Sequence, residues 1–276
     1  MNLVVQGAAL APDALAEIAA LAGASRTVAL GTSAWRLAGA TEVARVEPWC
    51  AQRHLDAAWV PEGRRLADLR LLAIDMDSTL VTVESIDEMG DMLGIRQQVA
   101  AITAQAMRGE IDYPESLRRR VALLAGLREE SLERICEERM HLSPGAENLM
   151  RRCRELGIRT LLVSGGFSFF TAWLQQRFGI TEVLSNVLEI EHGRLTGRIL
   201  GGIVDGAAKA ARLRAGIEQR GISREQAVAI GDGANDIPMM AAAGVSIAYR
   251  AKPVVREHAT HALDYADLDG VLNLFV

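Results

Sequence analysis

Two carboxylates one residue apart, Asp75 and Asp77, close an apolar run and are followed by two hydroxyls, Ser78 and Thr79. The uncharged stretch Leu71, Leu72, Ala73, Ile74 has the composition of a strand buried on both faces of a parallel sheet, and ligands of such sheets collect beyond the carboxyl ends of the strands. Asp, Ser and Thr are also ordinary helix-capping residues, the bland alternative for this segment. Two more apolar runs end similarly. Leu161, Leu162 and Val163 lead into Ser164-Gly165-Gly166, and Val228, Ala229 and Ile230 lead into Gly231-Asp232-Gly233-Ala234-Asn235-Asp236. In one parallel sheet all three would open on the same edge and gather Asp75, Asp77, Ser164, Asp232, Asn235 and Asp236 into one pocket. Carboxylates that close repel one another unless a cation neutralises them, and oxygen donors without His or Cys suit Mg²⁺.

Mg²⁺ commonly takes one or two carboxylates together with water and substrate phosphate, so the expected chemistry is phosphoryl transfer. Ser164 with the Gly165 and Gly166 amides, read as a turn that opens a helix, would bind phosphate oxygens through backbone donors and the helix dipole. Taken alone it is an ordinary strand-to-helix turn. Lys209 supplies positive charge, although a lysine on a helix is most often merely solvated. A carboxylate beside a bound phosphate can act as a nucleophile and form an aspartyl-phosphate, and a second can protonate the leaving oxygen and then deprotonate water.

The elements that must position these groups read as an α/β protein. The chain has 276 residues, half of them hydrophobic and only 4% aromatic, which fits helices packed on a sheet and one large domain with an attachment. A net charge of −5 gives no general attraction to nucleic acid or to an anionic membrane. Cys50, Cys136 and Cys153 are scattered and odd in number, so neither a disulfide framework nor a zinc site is indicated and a reducing cytoplasm is the simplest location. The first twenty residues lack the features of a secretory signal, and no stretch reaches the length of a transmembrane helix.

Strands at residues 3–5 and 27–30 flank an amphipathic helix at 12–21, and 46–60 reads as mixed and helical. A polar joint at 61–65 sets a boundary, giving an N-terminal α/β lobe over 1–66. Residues 67–83 and 141–276 read as the catalytic core. Between them, 84–140 is an inserted helical lobe with helices at 86–93, 96–108, 113–124 and 129–139, separated by Gly94, Gly109 and Gly126. Core helices are expected at 145–156, 169–178, 206–219 and 237–243, with strands at 159–163, 183–184, 227–230 and 245–248. A hairpin joins 187–190 to 194–199.

In order and spacing, Asp75-Met76-Asp77-Ser78-Thr79, Ser164-Gly165-Gly166, Lys209 and Gly231 to Asp236 resemble the four motifs of the haloacid dehalogenase superfamily, most closely those of the phosphoserine phosphatases. The resemblance covers residues 70 to 276 and includes the helical lobe, which is similar to that group's small cap. It implies a Rossmann-like parallel sheet flanked by helices. It implies Asp75 as nucleophile, Asp77 as general acid/base, and Ser164 and Lys209 as phosphate clamps. Mg²⁺ would be held by Asp75, Asp232 and the backbone carbonyl of Asp77, with Asp236 orienting waters and Lys209 from the outer shell and Asn235 bonding the phosphate or substrate side.

The implied reaction is hydrolysis of O-phospho-L-serine, a small molecule, as the last step of L-serine biosynthesis. Glu84 matches the residue expected at the substrate ammonium and Arg120 the one expected at its carboxylate, while Met107 and Tyr113 fall where the cap packs over substrate. On residues alone, Glu84 is a helix-start charge and the arginine triplet 118–120 a solvated face. Phosphothreonine, phosphohomoserine or another small phosphomonoester is the alternative substrate, and a non-catalytic amino-acid-binding regulator the alternative class. His141, His192, His258 and His261 have no identifiable partners. The N-terminal lobe matches an ACT-like module poorly, because that needs a βαββαβ order and only two strands and two helices are visible. A docking or dimerisation lobe is the equal reading, which leaves a homodimer open.

Overall fold

The computed structural model describes residues 1–42 and 44–275. The first lobe runs β1 (Asn2–Gln6), α1 (Pro12–Leu21), β2 (Arg26–Ala29), β3 (Ala34–Ala38), α2 (Val46–Ala51) and β4 (Asp56–Val60). This is a complete βαββαβ order, with the antiparallel sheet arranged β2-β3-β1-β4. The two strands expected from sequence are half of those present; β3 and β4 were not legible. Alternation divides the strands between two cores. Leu3, Val5 and Leu37 pack with Ile18 of α1 and Trp49 of α2, whereas Val4, Ala58 and Val60 face the second domain.

The second domain begins with β5 (Leu71–Ile74) and then leaves the sheet for four helices, α3 (Ser85–Met92), α4 (Arg96–Met107), α5 (Tyr113–Ala122) and α6 (Glu129–Glu138). It returns through α7 (Ala146–Glu155), β6 (Arg159–Phe167), α8 (Ser168–Phe178), β7 (Glu182–Glu191), β8 (Arg194–Leu200), α9 (Gly206–Gln219), β9 (Ala227–Gly231), α10 (Ile237–Ala242), β10 (Val245–Tyr249), α11 (Pro253–Glu257) and β11 (His261–Leu263). The seven strands lie in the order β11-β10-β9-β5-β6-β7-β8, and only β8 is antiparallel to its neighbour. No described helix is long and apolar enough to cross a membrane.

The three strands marked by their polar ends are the three central neighbours, β6, β5 and β9. Each buries both faces. Leu72, Ile74, Leu162, Val228 and Ile230 belong to one core, and Leu71, Ala73, Leu161, Val163, Ala227 and Ala229 to the other. That two-sided burial is the physical reason for their uninterrupted apolar runs. Ile74 sits opposite both Leu162 and Ile230, so the strand ends are level and whatever follows them converges.

Two local expectations need correction. Ser164-Gly165-Gly166 is not a turn: β6 continues through Phe167 and α8 begins at Ser168. The extension is held because the Gly165 carbonyl accepts the Asn186 amide at 2.8 Å. The separate strands expected at 183–184 and 187–190 are one strand, β7, because its polar middle is bonded inward: the Ser185 hydroxyl meets Thr171 Oγ1 at 2.8 Å, and Asn186 also accepts the Val204 amide. The elements α11 and β11 were not anticipated.

The lobe is fastened to the C-terminal part of the chain. The Asp56 carboxylate, 5% exposed, accepts the backbone N–H groups of Asp264, Tyr265 and Ala266. The Arg36 guanidinium donates to the carbonyls of Asn273 and Phe275, and Asn273 Nδ2 donates to Gln6 Oε1 at 2.7 Å.

Candidate active site

Asp75 follows β5 directly, and its own N–H donates to the Ile230 carbonyl of β9 at 3.0 Å, which fixes the backbone under its carboxylate. Lys209, on the second turn of α9 and completely buried, donates to Asp75 Oδ1 at 2.6 Å and to Asp236 Oδ1 at 2.7 Å. Burial by itself would lower the lysine pKa, but Asp236 and Asp75 outweigh it and hold the ammonium above the usual lysine range. Asp236 Oδ2 accepts the Gly233 N–H at 3.0 Å, so both its oxygens are occupied. Carboxylate oxygens of Asp75, Asp232 and Asp236 lie within 4.8 Å of one another.

Desolvation and then Asp236 raise the Asp75 carboxyl well above its ordinary range, with Lys209 opposing. Desolvation and Asp236 likewise push Asp232 up to about 6. This is the signature of a centre with too little positive charge. The hydrogen bonds show where more would fit. Asp232 Oδ1 accepts the hydroxyl of buried Thr79 at 2.8 Å and Asp75 Oδ1 accepts Lys209, yet Asp75 Oδ2 and Asp232 Oδ2 accept nothing from the described residues. Two open, hard oxygens on two crowded carboxylates suit a divalent cation.

Asp77 stands on the other side of the strand end. Its Oδ1 accepts the Ser85 N–H at 2.9 Å and its Oδ2 the Ser85 hydroxyl at 3.0 Å. Desolvation, together with the Glu84 carboxylate, pushes its carboxyl up to about 7, so near neutral pH it holds or releases a proton readily. Gly166 lies against it: a Cβ there would stand 2.8 Å from Asp77 Oδ2 and 3.0 Å from Ser164 Oγ, so only glycine lets the two groups share this space. Ser164 is completely buried and its Oγ accepts the Gly166 N–H at 2.8 Å. A carboxylate of the nucleophile class, a proton carrier, a buried lysine and a buried serine therefore meet at one sheet edge.

The sequence model of the haloacid dehalogenase-like hydrolases matches residues 72–241. A phosphoserine phosphatase of Albidiferax ferrireducens is 51% identical over 216 residues, covering 76% of this chain and 91% of its own length. This chain belongs to the haloacid dehalogenase-like hydrolases, in the phosphoserine phosphatase group. Among solved structures, the unliganded probable phosphoserine phosphatase of Vibrio cholerae matches with a TM-score of 0.87 at 33% identity, covering 99% of this chain and 85% of that one. A phosphoserine phosphatase solved as a phospho-aspartyl intermediate analogue matches with a TM-score of 0.70 at 36% identity, over 75% of this chain and 99% of that one. Residues 3–58 also match a domain of unknown function (DUF4072).

The cap residues of this family member are placed unequally. Tyr113, at the start of α5, donates its hydroxyl to the Gly165 carbonyl at 3.3 Å, and burial pushes its pKa up to about 12. A Cβ on Gly165 would come within 2.2 Å of that hydroxyl, so the bare backbone is what admits the cap this close. Glu84 accepts the Ser78 hydroxyl at 2.7 Å. Arg120 lies two turns further along α5 on the same face as Tyr113, near enough for its charge to act on both Tyr113 and Asp87. Asn235 sits beside the cluster with its Oδ1 folded back over Gly233.

Met107 is not brought to the site. It ends α4 and is 68% exposed, because the helix stops there and the chain turns away through Gly109 at φ 75°. Three further residues had no role assigned from sequence: Thr79, which holds Asp232; Ser85, which holds Asp77; and Asn186, which holds the Gly165 carbonyl. Thr79 closes the first motif and Ser85 follows shortly after it, a signal available in the sequence; Asn186 carried none.

Proposed function

We propose that this enzyme hydrolyses O-phospho-L-serine to L-serine and inorganic phosphate with Mg²⁺ as cofactor, the closing step of L-serine biosynthesis in the cytoplasm. The observation that carries the chemistry is the open Oδ2 of Asp75 beside a protonated, buried Lys209 at the converging strand ends. The relatives' shared name supports the substrate.

The Asp75 carboxylate attacks phosphorus, the bond from phosphorus to the serine oxygen breaks, and Asp77 gives that oxygen its proton. Water then loses a proton to Asp77 and attacks phosphorus from the opposite side, and the bond to Asp75 breaks, restoring both carboxyl groups. Ser164 and Lys209 bind the phosphate oxygens and Asn235 borders them. Glu84 takes the substrate ammonium and Arg120 its carboxylate, while Tyr113 covers the site from the cap. Asp75, Asp232 and the backbone carbonyl of Asp77 would hold the cation, with Asp236 steadying Lys209 from behind. Bound there, the ion neutralises the carboxylates and draws charge from the phosphate. Closure of the 84–140 cap on the core, residues 67–83 and 141–276, excludes bulk water.

Phosphate release measured across phosphoserine, phosphothreonine and phosphohomoserine, with and without Mg²⁺, tests the reading. Equal rates across the panel refute the serine assignment, and full turnover in chelator refutes the metal. The βαββαβ order of residues 1–66 favours the ACT-like sensor over a plain docking lobe. Sedimentation and turnover with and without L-serine read both the homodimer and the feedback that this lobe would bring.

A further inference from the structure

The short loop joining the sheet to the cap is closed on the proton carrier itself. Ser85, 1% exposed, opens α3, the first cap helix, and supplies the donors bonded to both oxygens of Asp77. The rest of the loop is equally tied. Ser78 is held at φ 56°, a conformation that non-glycine residues rarely adopt, by its N–H on the Val83 carbonyl at 3.2 Å and its hydroxyl on Glu84 Oε1 at 2.7 Å. Gly166 in β6 crowds the Asp77 Oδ2 that accepts the Ser85 hydroxyl, a Cβ there standing 2.8 Å from it. The carboxylate is thus clasped between one residue of the sheet domain and one of the cap.

We infer that Ser85 is a positioning residue that couples the orientation of Asp77 to the seat of the cap. A shift of α3 relative to β6 must either carry the carboxylate with it or break the Ser85 bonds, so the proton carrier is presented only when the cap is seated. Glu84 is the neighbouring residue and is bonded to Ser78, so a cation arriving at Glu84 competes for the same loop and acts on the same latch. This inference rests on the phosphatase reading given above.

Ser85→Ala removes the hydroxyl and keeps the amide, whereas Ser85→Thr keeps both donors. With phosphoserine as substrate, Ser85→Ala lowers kcat about tenfold with KM changed less than about twofold, and Ser85→Thr stays within about twofold of the parent chain in both. In native-state hydrogen exchange of the full chain, the Ser85 amide exchanges about tenfold faster in Asp77→Ala than in the parent. Equal losses in the two Ser85 variants, a loss confined to KM, or Ser85 exchange indifferent to Asp77 overturns the inference. Should Ser85→Ala fail to fold, the threonine variant and the exchange comparison still decide it. The exchange measurement needs no turnover: phosphoserine left intact by the parent chain refutes the phosphatase reading and with it the catalytic role of the latch, while Ser85 protection separately reports whether the contact exists.

Discussion

Crowded carboxylates at two sheet ends are treated in opposite ways. Asp56, where the N-terminal lobe meets the core, has both oxygens filled by three backbone amides of the loop 264–266. Burial raises its pKa and the amides draw it part of the way back. Asp75 and Asp232 are just as crowded, but each keeps one oxygen without a donor among the described residues. A carboxylate whose lone pairs are all used is a structural clasp; one left with an open oxygen among like charges is held ready for a ligand.

Replacing Asp75 by Asn strikes that contrast hardest: phosphate release from phosphoserine falls at least about a thousandfold while the thermal melt stays cooperative, and undiminished turnover breaks the distinction. Asp56→Ala reverses the pattern. Leaving three buried amides without an acceptor costs about 2–4 kcal/mol in denaturant unfolding, with kcat per folded molecule unchanged; a kinetic loss without a stability loss contradicts it. Thr79→Val sharpens the comparison by freeing the remaining oxygen of Asp232, and calorimetric Mg²⁺ titration then shows affinity about tenfold weaker.

The smallest effect concerns His261, which burial and then the neighbouring Arg64 hold at about 4, below its ordinary 6.5. Its ring accepts the Arg64 guanidinium at 2.7 Å and is therefore neutral when folded. The unfolded chain takes up that proton first, so this contribution is complete above about pH 6.5 and fades as pH falls toward 4. His261→Gln flattens that part of the stability profile, and an unaltered slope removes His261 from the account.

Legibility from sequence followed the range of the interactions. β5, β6 and β9 announce themselves because burial on both faces demands apolar residues without interruption. The cap helices were visible from their glycine breaks and periodicity. β3 and β4 were hidden because each carries a charge that looks solvent-directed, Arg36 in one and Asp56 in the other. Their partners lie more than two hundred positions along the chain, at Phe275 and Asp264, and no local pattern announces such a bond. The glycines after Ser164 suggested a turn for the same reason, since the contacts that keep them extended come from Tyr113 and Asn186. Met107 was assigned from the resemblance of the cap, where helix length and the direction of the following turn decide the outcome.

The bond from Thr79 to Asp232 closes a span of 153 residues, and that from Lys209 to Asp75 a span of 134. No fragment that folds early can contain both ends of either, and contacts of such separation form late because long loops must first be closed. During renaturation, reappearance of turnover therefore serves as a clock for the final knitting of the central strands, lagging behind helical signals that the local segments recover on their own.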